Sequence, residues 1–308
     1  MNRPASLVAS AWSLHLPGID LEPALTERFG RPGDWARHEA APPDKAATVL
    51  GRKGMLYKEP ATRLALCAVH RAFGVPVGQR PGWPPAPGTA VVVASNLGNV
   101  ETVARVTRTI EAEGGSAVSV LDAPNVSSNV IASTVALWFG FGGANLMICS
   151  GASAGLDGLA LADLLVRAGR ADRVVLVGVE PADPVAAELF AAGDGQPALR
   201  AGAACVVLEK AQSGEAIADG RLLVRFTGGD QLPDAVIGPG GFDPALRWGD
   251  FYGAQDVVAL ALAAELAVTE GRHEVGVRGA AAQGAGSPAR QVLLSTVSPL
   301  TPTVGELR

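Results

Sequence analysis

Three short, unbroken apolar runs limit what this chain can fold into more than any other feature: Ala90–Ser95 (AVVVAS), Val174–Gly178 (VVLVG) and Ala203–Leu208 (AACVVL). Each is bounded by turn-forming residues and is too short for an ordinary buried helix, so each reads as a β-strand covered on both faces. Stretches of helical character lie around them: Glu59–Gly74, with Leu64, Cys67, Ala68 and Arg71 on related faces, then Asn99–Glu113, Leu156–Ala168 and Asp256–Thr269. Doubly buried strands alternating with helices require a layered α/β fold. Weaker patterns add strands at Val8–Trp12, Leu146–Cys149, Leu222–Thr227 (an edge or half-exposed strand) and Gln291–Val297, and Pro76–Gly88 is a proline-rich loop around Trp83.

Composition removes several classes of function. At 308 residues with 48% hydrophobic content, the chain has the bulk for one large domain or two fused halves. A net charge of −5 leaves no basic footprint for nucleic acid. No apolar run reaches the roughly 18 residues that span a bilayer, and the first residues carry no signal-peptide pattern, so a cytoplasmic location is expected. Cys67, Cys149 and Cys205 are scattered through apolar stretches and read as small buried thiols in a reducing compartment. His70, inside a predicted helix, reads as a packed residue. No metal-ligand spacing, P-loop or dinucleotide fingerprint occurs, so no metal or resident cofactor is predicted.

The segment richest in chemistry is Ser150-Gly151-Ala152-Ser153-Ala154-Gly155, between a predicted strand and a predicted helix. Glycines on either side of small residues permit a sharp elbow whose side chain stands at a helix N-terminus, where backbone N–H groups stabilise an oxyanion. One reading is a G-x-S-x-G elbow with Ser153 as nucleophile, His273 as the only downstream histidine, and Asp243, Asp250 or Asp256 as the acid. The bland alternatives are that Ser153 caps the following helix, that Asp250 complements a helix dipole at its start, and that His273 does so beyond its end.

A longer pattern points elsewhere. Asn125–Ala132, the FG-x-GG-x-N approach Phe139–Asn145, the elbow, an alanine-rich helix, the turn Gly169–Asp172 and the strand Val175–Glu180 follow one another in order. Gly51–Phe73 precedes them, and Gly202–Lys210 and Gly220–Gly228 come after. In this order they resemble the β-ketoacyl synthase branch of the thiolase-like superfamily. The resemblance implies a thiolase-like α/β/α/β/α layered fold truncated in its C-terminal half. Residues 1–180 would form the first half and 181–308 a shortened second half of one compact unit.

It also implies where condensation chemistry should sit, and there the chain departs from the family. The nucleophile position, a cysteine at a helix N-terminus in the family, is Ala152, with Gly151, Ser153 and Gly155 as the elbow and oxyanion region. The loop of the first catalytic histidine is missing from the short interval between Lys210 and Gly249. In the G-H-T-x-G-A motif of the second, Gly249-Asp250-Phe251-Tyr252-Gly253-Ala254 places Asp250 at the histidine position, and no lysine follows Lys210. Ala281–Pro288 stands where the family has a phenylalanine-gated GFGG loop.

The resemblance thus implies an inactive, chain-length-factor-like subunit. It would pair as a heterodimer with an active ketosynthase and shape its tunnel for acyl groups delivered on the phosphopantetheine of an acyl carrier protein. A repurposed acyltransferase or hydrolase using Ser153 is the alternative, and a homodimeric acyl-binding scaffold a third.

Overall fold

The structure, a computed structural model, describes residues 7–30, 32–193, 197–211, 220–227, 232–279 and 290–296. The three apolar runs are strands with every side chain buried, or nearly so: β2 (Thr89–Ala94), β4 (Arg173–Glu180) and β5 (Gly202–Lys210). β1 (Leu7–His15), β3 (Asn145–Ile148), β6 (Leu222–Thr227), β7 (Val236–Ile237), β8 (Glu274–Arg278) and β9 (Gln291–Thr296) join them in one sheet of order β3-β2-β4-β5-β1-β6-β9-β8-β7. β2 is parallel to β3 and β4, whereas β5 runs antiparallel to β4 and β1. The helices are α1 (Glu22–Phe29), α2 (Ala47–Leu50), α3 (Pro60–Ala72), α4 (Val100–Glu113), α5 (Val130–Phe139), α6 (Ala154–Arg167), α7 (Pro184–Ala192), α8 (Pro244–Trp248) and α9 (Gln255–Thr269).

The sheet is two sheets hinged on β1. Only Leu7–Ala9 pair with β6, whereas β1 pairs along its length with β5, interrupted at Ser10 by a bulge between Ala9 and Ala11. A bulge bends its strand and sharpens the twist, which lets the second sheet turn away from the first. Alternate side chains of β2, β4 and β5 then enter two cores. Val91, Val93, Val175, Val177 and Cys205 pack with α3 and α5, and Val92, Ala94, Leu176, Ala204 and Val206 pack with α6 and α9. That second core also takes in Val275, Val277, Val292 and Leu294 of the second sheet. The layers are therefore helices, sheet, helices, sheet, with α6 and α9 in the middle. This is the α/β class the resemblance implied; Ala281–Pro288 lie outside the described residues.

Glycine and alanine let the middle layer sit close to its neighbours. A Cβ on Gly155 would lie 2.5 Å from Cβ of Asp256 and 3.0 Å from the Val257 nitrogen, and one on Gly178 would lie 2.7 Å from Cβ of Val257. α9 has few exposed residues and is apolar nearly all round, as a helix between two sheets must be. With the turn before it, Tyr252–Thr269 is long and apolar enough by length and composition to cross a membrane. This corrects the expectation that no such segment exists. Its stretch is 72% buried in the protein, and its central place between the sheets accounts for the composition.

Two other expectations change. Leu222–Thr227 is half exposed as predicted but is an inner strand, between β1 and β9. Cys67 and Cys205 are buried, and burial pushes the Cys67 thiol up to about 12. Cys149 is exposed, because β3 before it is an edge strand rather than a central one.

Candidate functional site

The parallel strands β2, β3 and β4 all end on one side of the sheet, and the loops that leave them meet there, where α/β proteins build their sites. From the end of β3 the chain turns through Ser150 into a single 3-10 turn, Gly151–Ser153, and then into α6. Gly151 has φ +70°, a left-handed conformation that favours glycine, so the elbow forms where its sequence placed it.

The loop after β2 clamps this elbow. Asn96 Oδ1 accepts from the Gly151 N–H at 3.0 Å, and its Nδ2 donates to the Gly151 carbonyl, also at 3.0 Å. Beneath it, Glu180 at the end of β4 is fully buried. Its carboxylate accepts from the Asn96 N–H (2.6 Å), the Leu97 N–H (3.0 Å), the Ser95 hydroxyl (3.1 Å) and the Gly253 N–H. These bonds favour the charged form, but burial outweighs them and pushes its pKa up to about 7. The third segment, Gly249–Ala254, closes on the same node: a Cβ on Gly253 would lie 2.4 Å from Asn96 Nδ2 and 2.8 Å from Glu180 Oε1.

One candidate position stands on the elbow and a second on the segment that packs against it. Ala152, half buried on the elbow, presents a methyl group that can neither attack an acyl group nor be activated by the helix terminus behind it. Asp250 lies on the segment packed against the elbow, but its Oδ1 accepts from the Tyr252 N–H at 2.6 Å, and burial pushes its carboxyl up. It serves the start of the turn that leads into α9, as the dipole reading anticipated.

The hydrolase reading finds no triad. Ser153 occupies the N-cap position of α6 yet makes no capping bond with its side chain, contrary to expectation. Its hydroxyl lies 3.1 Å from both the Ser150 carbonyl and Asp157 Oδ2. Ser150 donates to the same Asp157 oxygen at 2.5 Å, and Asp157 also pairs with Arg290. The single proton of Ser153 thus faces a carboxylate already committed twice. His273 stands at the start of β8, where its Nδ1 is 3.4 Å from the Thr296 hydroxyl. Asp243 caps α8 through the Ala245 N–H (3.0 Å), and Asp256 is buried, accepting from the Leu156 N–H at 3.2 Å. His70 is buried against the Gln79 carbonyl, as predicted of a packed residue.

Sequence reading missed Asn96, Glu180 as a buried node, and Tyr252. Tyr252 has φ +44°, the one left-handed backbone among described residues other than glycine. Its ring meets Phe190 edge-on at 5.1 Å, and its hydroxyl lies 3.9 Å from where a Gly151 Cβ would be. The Ser95-Asn96 pair directly after a doubly buried strand was a signal that could have been used. Nothing local marks the other two.

The layering and the glycine elbow at the head of a buried central helix define a thiolase-like α/β protein. Residues 33–223 match the family model described as the beta-ketoacyl synthase N-terminal domain, more than half of the chain, and the chain belongs to the β-ketoacyl synthase family. No curated protein matches it. Among solved structures it is similar to an ishigamide ketosynthase/chain length factor, with TM-score 0.68 and 18% identity over 94% of this chain and 98% of that one. It is also similar to a type II polyketide synthase acyl-carrier protein in complex with its ketosynthase bound to the hexaketide (TM-score 0.66, 13% identity, 96% of this chain and 100% of that one). A third is a β-ketoacyl synthase from Burkholderia phymatum (TM-score 0.60, 15% identity, 96% and 100%). At these identities the likeness is one of fold.

Proposed function

We propose that this chain is a ketosynthase-family subunit without condensing activity of its own, which pairs with an active ketosynthase and shapes the tunnel that holds its acyl chain. Ala152 carries the proposal: the elbow is built, glycine-turned and clamped by Asn96, and the side chain it presents is inert. Asp250 compounds this. Where the family needs a histidine to stabilise a developing enolate, a carboxylate would oppose that charge.

Pairing is supported by the outer edge of β3, which no strand covers among the described residues. β3 ends the sheet, with one side hydrogen-bonded to β2 and its side chains half buried or exposed. α5 and α6 flank it on the two faces and show Leu137, 85% exposed, and Leu164, 54% exposed. An apolar, unpaired edge is a template for another strand.

Contact with an acyl carrier protein is supported by charge. Residues 45–80 hold Lys45, Arg52, Lys53, Lys58, Arg63, Arg71 and Arg80 against one carboxylate, Glu59, in a chain of net charge −5. Other arginines pair with carboxylates, such as Arg105 with Asp122 and Arg173 with Glu209, whereas no ion pair is described for Arg52, Lys53, Lys58 or Arg80. Leu56 and Val77, 75% and 73% exposed, lie in the same stretch. A basic surface with apolar anchors suits an acidic protein partner that brings acyl groups on its phosphopantetheine arm.

Co-expression with a full-length ketosynthase from the same organism tests the pairing. The two should co-elute at one to one; separate elution at micromolar concentration would end the proposal.

A further inference from the structure

Beside the elbow is a small apolar cluster separate from the two main cores. Leu97, Ala186, Phe190 and Leu199 form it, with Val100 and Tyr252 packed against it. It draws on the loop after β2, the start of α4, α7 and the segment before β5. Tyr252 also reaches the elbow, through the hydroxyl next to Gly151.

The backbone of Tyr252 is costly. A left-handed φ suits glycine, and a bulky aromatic residue there is an outlier that persists only where its surroundings over-determine it. Here they do. Asp250 Oδ1 holds the Tyr252 N–H, the Phe251 N–H donates to Gln255 Oε1 at 3.2 Å, and Gly253 is jammed against Asn96 and Glu180. The same hexapeptide uses glycine at 249 and 253, so the tyrosine stands at the position where glycine would relieve strain. What the strain secures is placement: the ring bridges the Leu97–Phe190 cluster and the elbow.

We propose that Tyr252 is a plug. It fills the passage between the elbow and the apolar cluster, and so keeps an aliphatic acyl chain from lodging beside Ala152 in this subunit. The idea rests on the reading of the chain as a tunnel-shaping subunit: an inert elbow that also sequestered acyl chains would compete with the active site across the dimer. Truncating Tyr252 would leave space lined by Leu97, Val100, Phe190 and Leu199, with chemistry suited to a medium-length alkyl chain.

The test places a reporter at the elbow of the full chain. In a Cys149→Ser background, Ala152→Cys is alkylated with iodoacetamide and with N-decyl iodoacetamide, with and without Tyr252→Ala. Tyr252→Ala should speed the decyl reagent at least tenfold and iodoacetamide less than threefold, because Ala152 is already partly exposed. Tyr252→Phe, which keeps the ring, should behave as the parent. Equal acceleration of both reagents, acceleration of neither, or a Phe variant as fast as the Ala variant would overturn the plug. Buried Cys67 and Cys205 report general opening: their alkylation would identify an unfolded variant, for which Tyr252→Leu is the replacement, with the same expected ratio. The experiment uses this chain alone, so its failure is separate from a failure to pair with a ketosynthase.

Discussion

Glu180 makes the stability of the site depend on pH in a way that can be worked out from its surroundings. Its folded pKa is raised from 4.5 to about 7, because burial outweighs the hydrogen bonds it accepts. A raised pKa means the folded state binds a proton more tightly than the unfolded chain does. The stabilisation linked to that proton is therefore complete below about pH 4.5 and is lost as pH rises through 7. Each tenfold difference in proton affinity is worth about 1.4 kcal/mol, which makes the loss about 3 kcal/mol.

His15 works in the opposite sense. Burial lowers its pKa from 6.5 to about 4, so its contribution is complete above 6.5 and is lost as pH falls towards 4. The two effects oppose one another between pH 4.5 and 6.5 and flatten the wild-type profile. Comparing Glu180→Gln with wild type removes the shared histidine contribution. In urea unfolding followed by circular dichroism from pH 4.5 to 8, the variant should gain about 3 kcal/mol on wild type as pH rises. A constant offset from the glutamine's imperfect hydrogen bonds would leave that slope untouched. Parallel profiles, within about 1 kcal/mol, would refute the placing of an ionisable carboxyl in this buried node.

Other consequences are less layered. Gly155→Ala drives a methyl group into Asp256 and the Val257 backbone, and should destabilise the fold by about 1–3 kcal/mol, visible as a lower Tm. The pair Leu137→Glu on α5 and Leu146→Lys on β3 charges the face around the β3 edge, and should abolish co-elution with a ketosynthase while the Tm of the isolated chain stays within a few degrees, as both side chains are exposed. Reversing Arg52 and Lys53 to glutamate should raise the Kd for an acidic carrier protein at least tenfold and reduce the dependence of that Kd on salt, measured by fluorescence anisotropy.

Much of the fold could be read locally because its main signal is local. β2, β4 and β5 are covered on both faces, so each is a continuous apolar run that no surface strand would carry. β8 escaped because Glu274-Val-Gly-Val-Arg278 is short, polar at both ends and entered directly from a charged turn. α7 escaped although its start is marked: Asp183 accepts from the Ala186 N–H at 3.0 Å, ahead of a proline in the first turn. Ala152 and Asp250 were found because they lie within contiguous motifs. The clamp between Asn96 and Gly151 joins residues 55 apart, and the bond from the Asn96 N–H to Glu180 spans 84, separations that no local pattern encodes. The exposure of Cys149 depends on β3 being at the end of the sheet, a property of strand order and not of the strand itself.

Product analysis of a reconstituted system tests the central claim most directly. The purified chain, a partner ketosynthase and the two together are each supplied with acyl and malonyl groups on carrier protein, and the products are resolved by mass spectrometry. The chain alone should form no carbon–carbon bond, and adding it to the ketosynthase should change the distribution of product lengths. Condensation by the chain alone, or an identical distribution with and without it, would contradict the reading of this protein as an inert, tunnel-shaping partner.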